Sequence, residues 1–160
     1  MFATKDIYSF NALDLNGDVV NLGKYRGKVL LIVNTALKGK SSYQLNELNQ
    51  LYNRFNGLPF EILAFPSGSG GLLSMGKVSN DALRRYYFKK NRCQFPVFGS
   101  VKVKGKKASP LFVWLADNAD SDRGRPIKES FTRFLVEADG RTIHRYSSIA
   151  TWNEVSNDIQ

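Results

Sequence analysis

The chain has 160 residues, 42% apolar and 12% aromatic, a composition that suits a folded globular protein and excludes wholesale disorder. Its length is that of one domain, read here as residues 1–160, and no run approaches the roughly 18–20 apolar residues that a membrane span needs. The formal net charge is +9; a lone cysteine, Cys93, excludes an internal disulfide, and with a lone histidine, His144, it argues against a structural zinc site. Met1 to Lys5 shows no basic-then-apolar leader, and the single cysteine leads to the expectation of a reducing intracellular compartment, mitochondrial matrix or cytoplasm.

In chain order, Ile7 to Asn21 reads as a hairpin around Asn16-Gly17-Asp18, with Phe10 and Leu13 on one side. The unbroken apolar run Val29 to Val33 is too short for a helix and suits a central strand buried on both faces. The loop that follows, Lys38-Gly39-Lys40-Ser41-Ser42, is where an open α/β sheet places a reactive centre. Tyr43 to Phe55 has helical spacing, with Leu45, Leu48, Leu51, Tyr52 and Phe55 on one face. Phe60 to Pro66 is a second strand, followed by the glycine loop Ser67 to Gly71. That loop lacks the Gly-Lys-Ser/Thr ending of a phosphate loop and reads as a plain connection. Asn80 to Asn91 is expected as a helix capped by Ser79 or Asn80, with Leu83, Tyr86 and Tyr87 inward. Phe95 to Phe98 is extended, and Val101 to Lys104 alternates as a half-buried strand. Pro110 opens a short helix through Trp114. Asp117 to Pro126 is a polar loop, and Phe131–Val136 and Thr142–Tyr146 form a β-pair about Asp139-Gly140. A short helix from Thr151 closes the chain. The fold class is α/β, a central mixed sheet flanked by helices with an N-terminal β-hairpin.

The positive charge is local. Between Ala82 and Ala116 there is no acidic residue, while Arg84, Arg85, Lys89, Lys90, Arg92, Lys102, Lys104, Lys106 and Lys107 supply nine positive charges. Interleaved with Tyr86, Tyr87, Phe88, Phe95 and Phe98, they are a candidate docking surface for RNA or an acidic protein.

Several stretches together resemble the glutathione peroxidases of the non-animal, thiol-dependent type. They are Gly27 to Asn34, Glu47-Leu48-Asn49-Gln50-Leu51-Tyr52, Phe60 to Pro66, Phe95-Pro96-Val97-Phe98, Gly105 to Leu111 and Phe131-Thr132-Arg133-Phe134-Leu135-Val136. The resemblance implies a thioredoxin-like fold over about residues 7 to 159. It also implies a peroxide-attacking cysteine or selenocysteine after the central strand, where a thiolate is the nucleophile. The matching position is Gly39. The family's glutamine maps to Ser69, its tryptophan and asparagine to Glu129 and Ser130, and its resolving cysteine to Phe88. All five positions are vacated, and Glu129 would oppose a thiolate.

Other candidates are plain. His144 reads as a surface or satisfied histidine, and Asp117, Asp120 and Asp122 as a solvated loop rather than a calcium site. Ser41-Ser42 reads as a helix cap. Cys93 sits beside Arg92 and one turn from Lys89 and Lys90, charges that would lower a thiol pKa. The reading is a non-catalytic family member: a structural or docking subunit of a ribonucleoprotein, respiratory or cytoskeletal assembly. No cofactor, metal or small-molecule substrate is expected. The alternative is a weak thiol peroxidase or redox sensor using Cys93.

Overall fold

The fold is built outward from β3, Val29–Thr35, whose Leu30, Leu31, Ile32 and Val33 have no solvent exposure. The computed structural model describes residues 5–36, 41–67, 79–127, 130–148 and 150–159. β4, Phe60–Pro66, runs parallel to β3, pairing Val29 with Phe60 and Thr35 with Pro66. On the other side β5, Arg133–Val136, lies antiparallel, with Val33 opposite Arg133, and β6, Ile143–Tyr146, completes the order β4-β3-β5-β6. Two strands flank β3 on hydrogen-bonding edges and helices cover both faces, which is why its sequence shows no polar alternation.

Strand side chains alternate between the two faces. Leu30, Ile32, Leu63, Phe65, Phe134 and Val136 enter one core with α3, Pro110–Asn118, and the N-terminal segment. Leu31, Val33, Ile62, Ala64 and Leu135 enter the other, beneath α1, Ser41–Arg54, and α4, Trp152–Ile159. Leu45, Leu48, Leu51 and Phe55 are the buried stripe of α1. The N-terminal hairpin pairs β1, Asn11–Leu13, with β2, Val19–Asn21. The Asp14 carboxylate closes its turn by accepting from the Asn16 and Asp18 amides.

Three expectations shift. Leu13 does not share the buried side of Phe10: it is 56% exposed, because the hairpin pairs apart from the four-stranded sheet and of these two residues only Phe10 reaches the core. Val101 to Lys104 keeps its alternating burial yet joins no strand ladder, the Val101 amide bonding instead to the Pro66 carbonyl. Asn80 to Asn91 begins as α2, Asn80–Arg84, capped by Ser79, then widens into a π-helical turn over Arg85–Lys90. The wide turn buries Tyr87 completely and leaves Phe88 39% exposed. Among the described residues no helix is long and apolar enough to cross a membrane.

Candidate functional site

The carboxyl ends of β3 and β4 carry a buried polar cluster of Asn34, Thr35 and Ser67, joined by Thr132 at the start of β5. The Asn34 amide donates to Ser67 Oγ at 3.4 Å, and the Asn34 carbonyl accepts from the Phe131 amide at 2.6 Å. Tyr87 reaches in from the π-turn. Its hydroxyl donates to the Ala36 carbonyl at 2.6 Å and lies 2.7 Å from Thr35 Oγ1. A phenol has one proton, and a carbonyl can only accept, so Thr35 is the donor in the second bond. Burial pushes the Tyr87 phenol well above its ordinary pKa and outweighs the opposing bond from Thr35. Tyr87 is therefore a neutral hydrogen-bonding plug at the carboxyl end of β3, against Thr35 and Ala36.

Of the five family positions, Gly39, Ser69 and Glu129 lie outside the described residues. Phe88 is on the exposed side of the π-turn, and Ser130 is half-buried ahead of β5. Ser41 begins α1, while its cap lies outside the described residues.

Cys93 is 6% exposed, set in the α1 and α4 core with its amide bonded to the Tyr87 carbonyl. Burial pushes its thiol up to about 12, the reverse of the expected lowering by neighbouring cations. The reason is geometric. Arg92 adopts a left-handed backbone, φ 53°, and is exposed, as are Lys89 and Lys90, so their charges stay in water while the sulfur turns inward.

The nine basic residues sit on two segments anchored to different cores. Arg84 bonds to Asp81, the Leu15 carbonyl and Asn16, and Lys90 lies over the Tyr86 ring. The helix carrying Arg84 to Lys90 is anchored through Leu83 and Tyr87 on the α1 face of the sheet. The segment of Lys102 to Lys107 is anchored through Val101 and Val103 on the opposite face. The segment that runs together in sequence is thus held at its two ends by different cores.

A site that sequence reasoning missed lies between α1 and α4. Arg133 is 1% exposed at the first position of the otherwise apolar β5, and its register puts it on the α1 face with Leu135. Its Nε donates to the Phe131 carbonyl at 2.9 Å, Nη1 to Ala150 at 2.6 Å and Nη2 to Ser148 at 3.1 Å. The guanidinium lies 3.7 Å from the Trp152 ring centroid. Burial pulls its pKa down to about 10, partly offset by Glu47, so it remains a cation at neutral pH. Glu47, Leu51 and Arg54 recur along one edge of α1 and line a cavity of about 710 Å³ together with Arg133 and Trp152. The available signal was the charge inside Phe131-Thr132-Arg133-Phe134-Leu135-Val136, out of place in a two-sided buried strand.

Residues 7–116 match the family described as Glutathione peroxidase. A "Phospholipid hydroperoxide glutathione peroxidase 1, chloroplastic" of Arabidopsis thaliana is 35% identical over 159 residues, covering 99% of this chain and 66% of the relative. A "Probable phospholipid hydroperoxide glutathione peroxidase 6, mitochondrial" of the same plant is 34% identical over 157 residues, covering 98% of this chain and 67% of the relative. The chain thus spans about two thirds of the length of these relatives. Among solved structures, "Trgpx in apo form" superposes with a TM-score of 0.76 at 28% identity, covering 98% of this chain and 94% of that one. Relatives matching along nearly the whole chain are named as peroxidases, which overturns the expectation of a non-catalytic docking subunit and RNA-binding surface. With its β4-β3-β5-β6 sheet, its helices on both faces and a family match over residues 7–116, the chain belongs to the glutathione peroxidase family.

Proposed function

We propose that this chain is a slow thiol-dependent peroxidase, or peroxide sensor, working through Cys93. The observation that carries the reading is that Cys93 is the chain's one sulfhydryl, on a scaffold whose relatives are named for hydroperoxide chemistry. A thiolate at Cys93 attacks the outer oxygen of a hydroperoxide. A sulfur–oxygen bond forms as the oxygen–oxygen bond breaks, and the departing alkoxide or hydroxide takes up a proton, leaving a sulfenic acid. With no second cysteine in this chain, the resolving thiol comes from outside. One external thiol displaces water to form a mixed disulfide, and a second thiol releases Cys93. A reducing compartment supplies such thiols, and relatives named for chloroplast and mitochondrion are consistent with one.

Burial sets the rate. With the thiol raised to about 12, little thiolate is present at neutral pH, and the turn around Arg92 must open for peroxide to reach the sulfur. Peroxide consumption by the purified protein with thioredoxin or glutathione is therefore expected to be slow and to rise roughly tenfold per pH unit from pH 7 to 9. Cys93→Ser is expected to abolish it and to abolish sulfenic acid labelling. Turnover that survives in Cys93→Ser, or none in the parent protein at either pH, overturns the reading.

A further inference from the structure

From the cleft between α1 and α4 we infer a binding site for a small zwitterion, an amino acid or short peptide, with its carboxylate on Arg133 and Arg54 and its ammonium on Glu47 and Gln44. The inference is independent of Cys93 and its chemistry.

Arg133 has five N–H donors, and three are engaged by the carbonyls of Phe131, Ala150 and Ser148. Two remain without an acceptor among the described residues, and no carboxylate there lies within ion-pair distance, although the side chain is 1% exposed. A buried cation held only by carbonyls is an electrostatic deficit that an incoming anion relieves. The carbonyl bonds and the Trp152 ring hold the guanidinium plane in place, so a carboxylate meets a preorganised fork. Arg54, one edge further along α1, lines the same cavity and is exposed.

The cleft also presents acceptors. Gln44 Oε1 is buried and has no hydrogen-bond partner among the described residues. Glu47 lies one turn along α1 on the same wall, near enough to Arg133 to influence its protonation. A carbonyl oxygen without a donor beside a carboxylate is a seat for an ammonium group. A purely anionic ligand such as phosphate would gain from the two arginines but be opposed by Glu47, and would leave Gln44 unsatisfied. The mixture of donors and acceptors selects a molecule that carries both charges. A cavity of about 710 Å³ is large enough for a ligand of a few residues.

Triglycine is a suitable probe, with triglycine amide and inorganic phosphate as the other arms. Calorimetry and the fluorescence of Trp152, isolated by Trp114→Phe, are the readouts. Saturable triglycine binding is expected, weakened at least roughly tenfold when the carboxylate is blocked as the amide. Arg54→Gln is expected to weaken triglycine binding, and Glu47→Gln to weaken triglycine while leaving phosphate as tight or tighter. Arg133→Lys keeps the charge but loses the fork and is expected to weaken triglycine similarly. Should that variant fail to fold, the two substitutions on α1 still decide. No saturable signal, equal affinity for triglycine and its amide, or phosphate binding more tightly than triglycine would each overturn the inference.

Discussion

His144 shows how much one side chain in this protein depends on partners distant in sequence. Its Nδ1 lies 2.8 Å from Asp120 and its Nε2 2.9 Å from Glu137, so a protonated ring bridges the segment after α3 to the end of β5. Burial pulls the imidazole pKa down, but hydrogen bonds and attraction from both carboxylates outweigh it and the net direction is up. Asp120 stays exposed with Asp117 and Asp122, as the sequence suggested, while also accepting from the Arg145 amide. Burial raises its pKa, the bonds from Arg145 and His144 lower it, and the bonds win. Because the folded histidine pKa lies above the ordinary value, its stabilisation is complete below about pH 6.5 and is lost as pH rises through the folded value. Urea unfolding at pH 5.5 and 8.5 should show His144→Gln less stable than the parent at the lower pH, by about 0.5–1 kcal/mol. The difference should shrink at the higher pH. An equal deficit at both would mean packing rather than charge.

At the scale of elements, two turns that look alike in sequence are under different constraints. Asn16-Gly17-Asp18 and Asp139-Gly140 both close antiparallel pairs, and both glycines have positive φ, 82° and 74°. A Cβ on Gly17 meets nothing within 4 Å, whereas on Gly140 it would sit 2.4 Å from the Tyr8 ring. Tyr8 is fixed there by donating from its hydroxyl to the Ala138 carbonyl, so it cannot move aside freely. Gly17→Ala should cost about 1 kcal/mol from backbone strain alone. Gly140→Ala should cost about 2 kcal/mol or more, since the clash is added. Thermal unfolding of the pair tests this, and equal losses would show that Tyr8 yields. The hairpins themselves were legible because Asn-Gly and Asp-Gly state a local backbone requirement. The π-turn at Arg85–Lys90 was not, since its helix-like sequence does not show that Tyr87 must reach Thr35 and Ala36.

Over the whole molecule, the sheet separates two cores that share β3. Leu31 and Leu13 have the same side chain, yet Leu31 has no exposure and Leu13 is 56% exposed. Leu31→Ala should destabilise by about 2–5 kcal/mol through a cavity under α1. Leu13→Ser should stay within about 0.5 kcal/mol. Chemical denaturation distinguishes them, and comparable losses would mean that the hairpin packs more tightly than its exposure implies.

The order of strands and helices and the place of β3 at the centre were set by the sequence alone, because apolar period and turn chemistry act over a few residues. Family membership was legible there too, since the matching stretches keep their order and spacing. The depth of Cys93, the partners of His144, the division of the basic segment and the cleft around Arg133 were decided only by tertiary structure. Each depends on which face of a sheet a residue enters and on what a distant segment brings to meet it. Charge in sequence is counted along the chain, but its effect on a thiol, a histidine or a ligand depends on distance and burial, which only folding assigns.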